Sequence, residues 1–178
     1  MKNVTLYSWL AVMILASVAN VYADAVLDAP PAEASPADRY IFFMHGKIVE
    51  KKGLPARSKR YGDYQYKAML KALADEGFTV ISEARARGTY VYDYAVKVAA
   101  QVNDLLGKGV PARNITVSGF SKGGRMTAMI SSLLENDEIN YVILAGCRES
   151  DIDDYKLRLH GRVLSIYDRD DEYFGSCD

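Results

Sequence analysis

The chain has 178 residues, in which 22 lysines and arginines nearly balance 23 aspartates and glutamates for a net charge of -1. That balance gives no global attraction to nucleic acid or to an anionic membrane, and 49% hydrophobic residues is ordinary for a globular protein. The length leaves room for one hydrophobic core and not for a second domain.

In chain order, residues 1–23 carry Lys2, an apolar run over 6–18 and then Val21-Tyr22-Ala23, with small residues where a signal peptidase reads. A cleaved signal peptide is expected. The apolar run is shorter than the ~20 residues a spanning helix needs. Asp24 and Asp28 follow it without a basic stop-transfer cluster. No cysteine follows that could carry a lipid, so the mature chain is expected in a periplasmic or extracellular space without stable membrane insertion. Residues 24–38 are rich in alanine, proline and acid, and are expected to be a flexible lead-in to a domain at 39–178.

Within that domain, short apolar runs at 40–44, 78–82, 115–119, 141–145 and 162–167 read as buried strands. Helical patterns lie between most of them. Tyr66, Met69, Leu70 and Leu73 fall at i, i+3, i+4 and i+7, with Gly77 as a stop. Ala95, Val98, Ala99, Val102, Leu105 and Leu106 form a second stripe, closed by Gly107 and Pro111. A third helix follows Ser121 and buries Met126, Met129, Ile130 and Leu133. Both-face apolar strands alternating with helices predict an α/β three-layer sandwich: a mostly parallel, doubly wound sheet of about five strands with helices on both faces.

In such a sheet, ligands bind beyond the carboxyl ends of the strands. The residues expected there are His45-Gly46-Lys47, Glu83 to Arg87, Ser121-Lys122, Cys147-Arg148 and Asp168 to Asp171. The third of these sites has a distinct form. Gly119, Ser121 and Gly123 make G-x-S-x-G between a β-branched run and a helix, the pattern of a nucleophile elbow. The central residue of so sharp a turn is strained, and only small neighbours let the turn close.

Phe-Met-His-Gly after the first run, Gly-Phe-Ser-Lys-Gly-Gly at the elbow and acids after the last run occur here in one order. On these motifs the chain resembles the α/β-hydrolase superfamily, specifically a compact bacterial exported serine hydrolase. The resemblance implies Ser121 as nucleophile, with the backbone N–H groups of Lys122 and of Lys47, after Gly46, as oxyanion donors. It implies Asp171 as the acid of a triad, with Asp170 second and Glu83 third. The chemistry agrees with these roles, because a serine hydroxyl needs a base to lose its proton and the tetrahedral oxyanion needs two donors fixed in advance.

The family's histidine lies on a loop after one further strand, downstream of the acid. This chain has two histidines, of which His45 belongs to the oxyanion motif and His160 precedes the last strand, at the sheet end opposite Ser121. The expectation is a chain that lacks the histidine segment, either truncated or naturally shortened. The implied activity is hydrolysis of carboxylic esters through a Ser121 acyl-enzyme. Two alternatives stand beside it: a non-catalytic ligand-binding protein of the same fold, and another doubly wound protein in which G-x-S-x-G is coincidental. An unstrained backbone at Ser121 would favour the last.

Cys147 and Cys177 follow adjacent strands, and in an exported chain a disulfide between them is expected; two independent buried thiols are the other reading. The loop at 47–63 carries Lys47, Lys51, Lys52, Arg57, Lys59 and Arg60. With Arg85, Arg87 and Arg125 it could form a basic mouth suited to small ester substrates that bear a carboxylate or phosphate; a solvated loop is the plainer reading. Tyr90, Tyr92 and Tyr94 alternate into the second helix and suit either a pocket lining or packing. No metal-ligand spacing and no phosphate-binding glycine motif occurs, so neither metal nor cofactor is expected.

Overall fold

The computed structural model describes residues 26–177, and the expected signal peptide lies outside the described residues. The elements run β1 (Val26–Leu27), β2 (Arg39–Met44), α1 (Lys47–Lys52), β3 (Arg57–Ser58), β4 (Gly62–Asp63), α2 (Tyr66–Asp75) and β5 (Phe78–Ile81). They continue with α3 (Val91–Gly107), β6 (Ile115–Phe120), α4 (Lys122–Leu134), β7 (Asn140–Leu144), α5 (Glu149–Tyr155) and β8 (Arg162–Ile166).

Six strands form one parallel sheet in the order β1-β5-β2-β6-β7-β8. The five expected strands are its members, displaced by a residue at most at their ends. The sixth corrects the expected count of about five. It comes from the lead-in, where Val26 and Leu27 pair with Val80 and Ile81. Further along the same segment, the carbonyls of Pro31 and Pro36 accept hydrogen bonds from Lys108 Nζ and Asn114 Nδ2. The described part of the lead-in is thus laid against the domain mainly through its own backbone groups, with Ala34 packed on the core.

Alternation along β2 divides the core. Tyr40, Phe42 and Met44 point to one face, where α3 and α4 bring Val98, Val102, Met126 and Ile130. Ile41 and Phe43 point to the other, against Tyr66 and Leu70 of α2. Successive side chains of a strand lie on opposite faces, so a run buried on both sides must be apolar throughout, as β2 is. The sheet is covered by helices on both faces.

The loop expected at 47–63 is more structured than a solvated connection. It contains α1 and the antiparallel pair β3–β4, and α1 buries Val49 and Glu50. Cys147 and Cys177 form a disulfide with Cα atoms 5.3 Å apart.

Candidate functional site

Strand β6 enters the site and α4 leaves it, with Ser121 between them. Ser121 has φ 53° and ψ -114°, a conformation in which L side chains are strained. Its N–H donates to the Leu144 carbonyl (2.8 Å) and its carbonyl accepts from the Arg125 N–H (3.0 Å), so strand β7 and helix α4 both hold the turn. The small residues around it are required by contact. A Cβ at Gly123 would stand 1.9 Å from the Met44 carbonyl oxygen, and one at Gly119 would stand 2.3 Å from the Gly123 carbonyl carbon. Gly124 and Gly146 meet in the same way, a Cβ on Gly146 lying 2.4 Å from Gly124. Backbone touches backbone here, so the position of Ser121 is set by main chain.

Lys47 opens α1 and Lys122 opens α4. The first N–H groups of a helix have no acceptor within it, so both amides are available to an oxyanion. Gly46 stands just before Lys47, its N–H held by the Tyr64 hydroxyl (3.2 Å).

Beneath these loops lies a buried polar cluster that the sequence does not announce. Arg85, expected at the mouth, is 3% exposed. Its Nε donates to Glu50 Oε1 (3.0 Å), while Glu50 Oε2 accepts from Lys122 Nζ (2.5 Å). Lys122 Nζ also donates to the Thr89 carbonyl (2.5 Å). A buried carboxylate between two cations joins α1, the loop after β5 and the start of α4, since each charge is costly without its partner.

His45 belongs to this cluster and is fully buried. The Arg85 N–H donates to its Nε2 (2.9 Å), so the ring proton sits on Nδ1, beside the Gly46 carbonyl (2.9 Å). Burial, and then the Arg85 charge, push its pKa down to about 4, so the ring is neutral near pH 7. Both nitrogens are committed, and His45 is structural. His160 pairs with Asp137 (3.2 Å) before β8.

Two cavities meet at Ser121. A cleft of about 740 Å³ runs from it past Lys47, Arg87, Tyr90 and Arg148. A slot of about 580 Å³ lies on its other side, lined by Phe120, Leu144, Ile166, Asp171 and Phe174 among others. Asp171 thus shares a slot with Ser121. Its Oδ1 accepts from the N–H groups of Tyr173 (2.8 Å) and Phe174 (3.2 Å), which fixes the carboxylate within its turn. Asp170 lines neither cavity. Glu83 is turned away to Tyr94 Oη (3.2 Å) and Lys97. Among the described residues, no side chain hydrogen-bonds to Ser121 Oγ.

The three tyrosines part company. Tyr90 lines the cleft, Tyr92 stacks on Tyr155 with ring centroids 5.9 Å apart, and Tyr94 packs beside Arg85. Sequence reasoning missed Glu50 altogether, because a lone acid in a basic loop reads as a solvated charge. It named Arg148 only as a residue beyond a strand end, and Phe174, which lines both cavities, not at all.

No protein-family model matches this chain, and no curated protein matches it. Its fold is that of α/β-hydrolases. The solved structure of a single-residue variant of SOBER1 from Arabidopsis thaliana is similar at 15% identity and a TM-score of 0.50, covering 78% of this chain and 77% of that one. SOBER1 without that substitution gives 14% and 0.49 over the same shares. XC6422 from Xanthomonas campestris, described as a serine hydrolase without lid, gives 12% identity and 0.36, covering 80% of this chain and 76% of that one.

Proposed function

We propose that the protein is an exported serine hydrolase that cleaves carboxylic esters through an acyl-enzyme on Ser121. The strained Ser121 backbone, at a strand-to-helix turn with a cleft beside it, carries this reading. Such strain is kept only where surrounding contacts enforce it, as the glycine contacts do here. A coincidental G-x-S-x-G would have no reason to adopt it.

In this reading Ser121 Oγ attacks the acyl carbon, and the Lys47 and Lys122 N–H groups stabilise the oxyanion. Collapse expels the alcohol and leaves the acyl group on Ser121; water then attacks and restores the serine. Losing one oxyanion donor costs about 2.7–4 kcal/mol of barrier in comparable sites. The base must take the Ser121 proton and return it to the leaving alcohol. His45 is committed elsewhere and His160 lies at the far end of the sheet, so the reading includes a histidine from residues outside this sequence. Its place is the slot between Ser121 and Asp171, where the carboxylate would orient it.

The lack of a hydrogen-bond partner for Ser121 Oγ among the described residues favours a second reading, a non-catalytic binding protein of the same fold. The intact mass of the protein from its native host, before and after a fluorophosphonate, separates the two. An adduct that Ser121→Ala abolishes supports the hydrolase, and an intact mass above that of residues 24–178 would show further residues that can carry the base. A mass that ends at Asp178, with no adduct and no ester turnover, sinks it in favour of the binding protein.

A further inference from the structure

The cationic residues are unevenly spread. Of the 22 lysines and arginines in the chain, Lys47, Lys51, Arg87, Lys122, Arg125 and Arg148 line one cleft beside Ser121. Glu50 is the one carboxylate in the same lining among the described residues, and it is spent on Arg85 and Lys122. Arg125 is taken by Asp151 in a two-pronged pair (2.5 and 2.6 Å).

That leaves Lys47, Lys51, Arg87 and Arg148 without a carboxylate partner among the described residues. Two of them are restrained. Arg87 Nη2 donates to the Lys51 carbonyl (2.7 Å), which holds the guanidinium at the rim, and Arg148 is half-buried beside the disulfide. Like charges gathered in a concave, partly apolar site focus a positive potential into it. Tyr90, Val91 and Phe174 supply apolar wall between them.

We infer that this cleft selects esters whose non-reacting end carries an anion, a carboxylate or a phosphate. The anion sits among Arg87, Arg148, Lys47 and Lys51 while the acyl carbon lies at Ser121. This rests on the hydrolase reading for its chemistry, but the anion preference itself is a binding property and is measurable without turnover.

The test is equilibrium titration of the full chain carrying Ser121→Ala, which cannot form an acyl-enzyme, with monomethyl glutarate and with methyl pentanoate, which match in length and differ in the terminal charge. The charged ester should bind about tenfold more tightly at low salt. That advantage should vanish near about 0.5 M salt. It should fall about fivefold in Arg148→Gln and, on the other wall, in Arg87→Gln, each with an unchanged melting profile. Inorganic phosphate as competitor distinguishes the sources: displacement of monomethyl glutarate shows a site that takes phosphate as well as carboxylate, and no displacement restricts it to carboxylates. Equal affinity for the two esters, or a preference untouched by both substitutions, overturns the inference. An anion preference that holds while Ser121 takes no fluorophosphonate would leave this inference standing and remove the hydrolase reading alone.

Discussion

The two flanks of Ser121 are built differently. On the β2 side the turn is held by main chain against main chain, glycines in contact, and a buried ionic cluster in which Arg85 and Glu50 side chains are nearly inaccessible. On the β8 side the strand pairs, among the described residues, with β7 alone, and Val163, Leu164, Ile166 and Tyr167 are 37–54% exposed. One flank is therefore fixed before any ligand arrives. The other offers an apolar strand edge and a slot, the kind of surface that pairs readily with another chain. What the contrast teaches is that the geometry of Ser121 and the geometry of Asp171 are secured separately: the first by packing, the second by a turn tethered through a disulfide.

The comparison can be broken most severely at Gly123. In Gly123→Ala the added Cβ has no place beside the Met44 carbonyl, and a loss on the order of 5 kcal/mol is expected, read as failure to fold or a collapsed denaturant midpoint. Next comes the tether. Replacing Cys147 and Cys177 by serine opens a closure between residues 30 apart, for which chain entropy gives about 3–4 kcal/mol, measured by the shift in denaturant midpoint.

Acid should act on the packed flank through His45. His45 stays neutral in the fold down to about pH 4, whereas in the unfolded chain it takes a proton near pH 6.5. Between these values the unfolded state binds more protons, so stability falls as pH falls from 6.5 towards 4, by on the order of 2–3 kcal/mol. Melting curves across that window check it, and in His45→Asn, less stable at pH 7, this component of the slope should disappear. The smallest effect is expected on the open flank: Leu164→Ser, at a residue 54% exposed, should change stability by less than about 0.5 kcal/mol while reducing self-association in light scattering.

The sheet was legible because each of its five long strands is an apolar run closed by a turn signal, and α2, α3 and α4 carry stripes at helical spacing. Strand β1 was not, since it is two residues in an Ala/Pro-rich segment that join an edge by backbone pairing. Helices α1 and α5 are of six and seven residues, too short for a stripe. At the site, the elbow announced itself because its turn restricts residue type at fixed offsets. The Glu50–Arg85–His45 cluster did not, because the sequence separation of 35 residues between Glu50 and Arg85 conceals their pairing, and a buried charge is written in the same letter as a solvated one.

The Cys147–Cys177 bond encloses both α5 and β8. A protease that reaches the exposed β8 edge therefore nicks a covalent ring: the cleaved chain keeps its full mass, plus one water, on a non-reducing gel, and falls into two pieces only when thiol is added. Quality control that counts fragments without reductant would pass a molecule already cut beside the slot that Asp171 shares with Ser121.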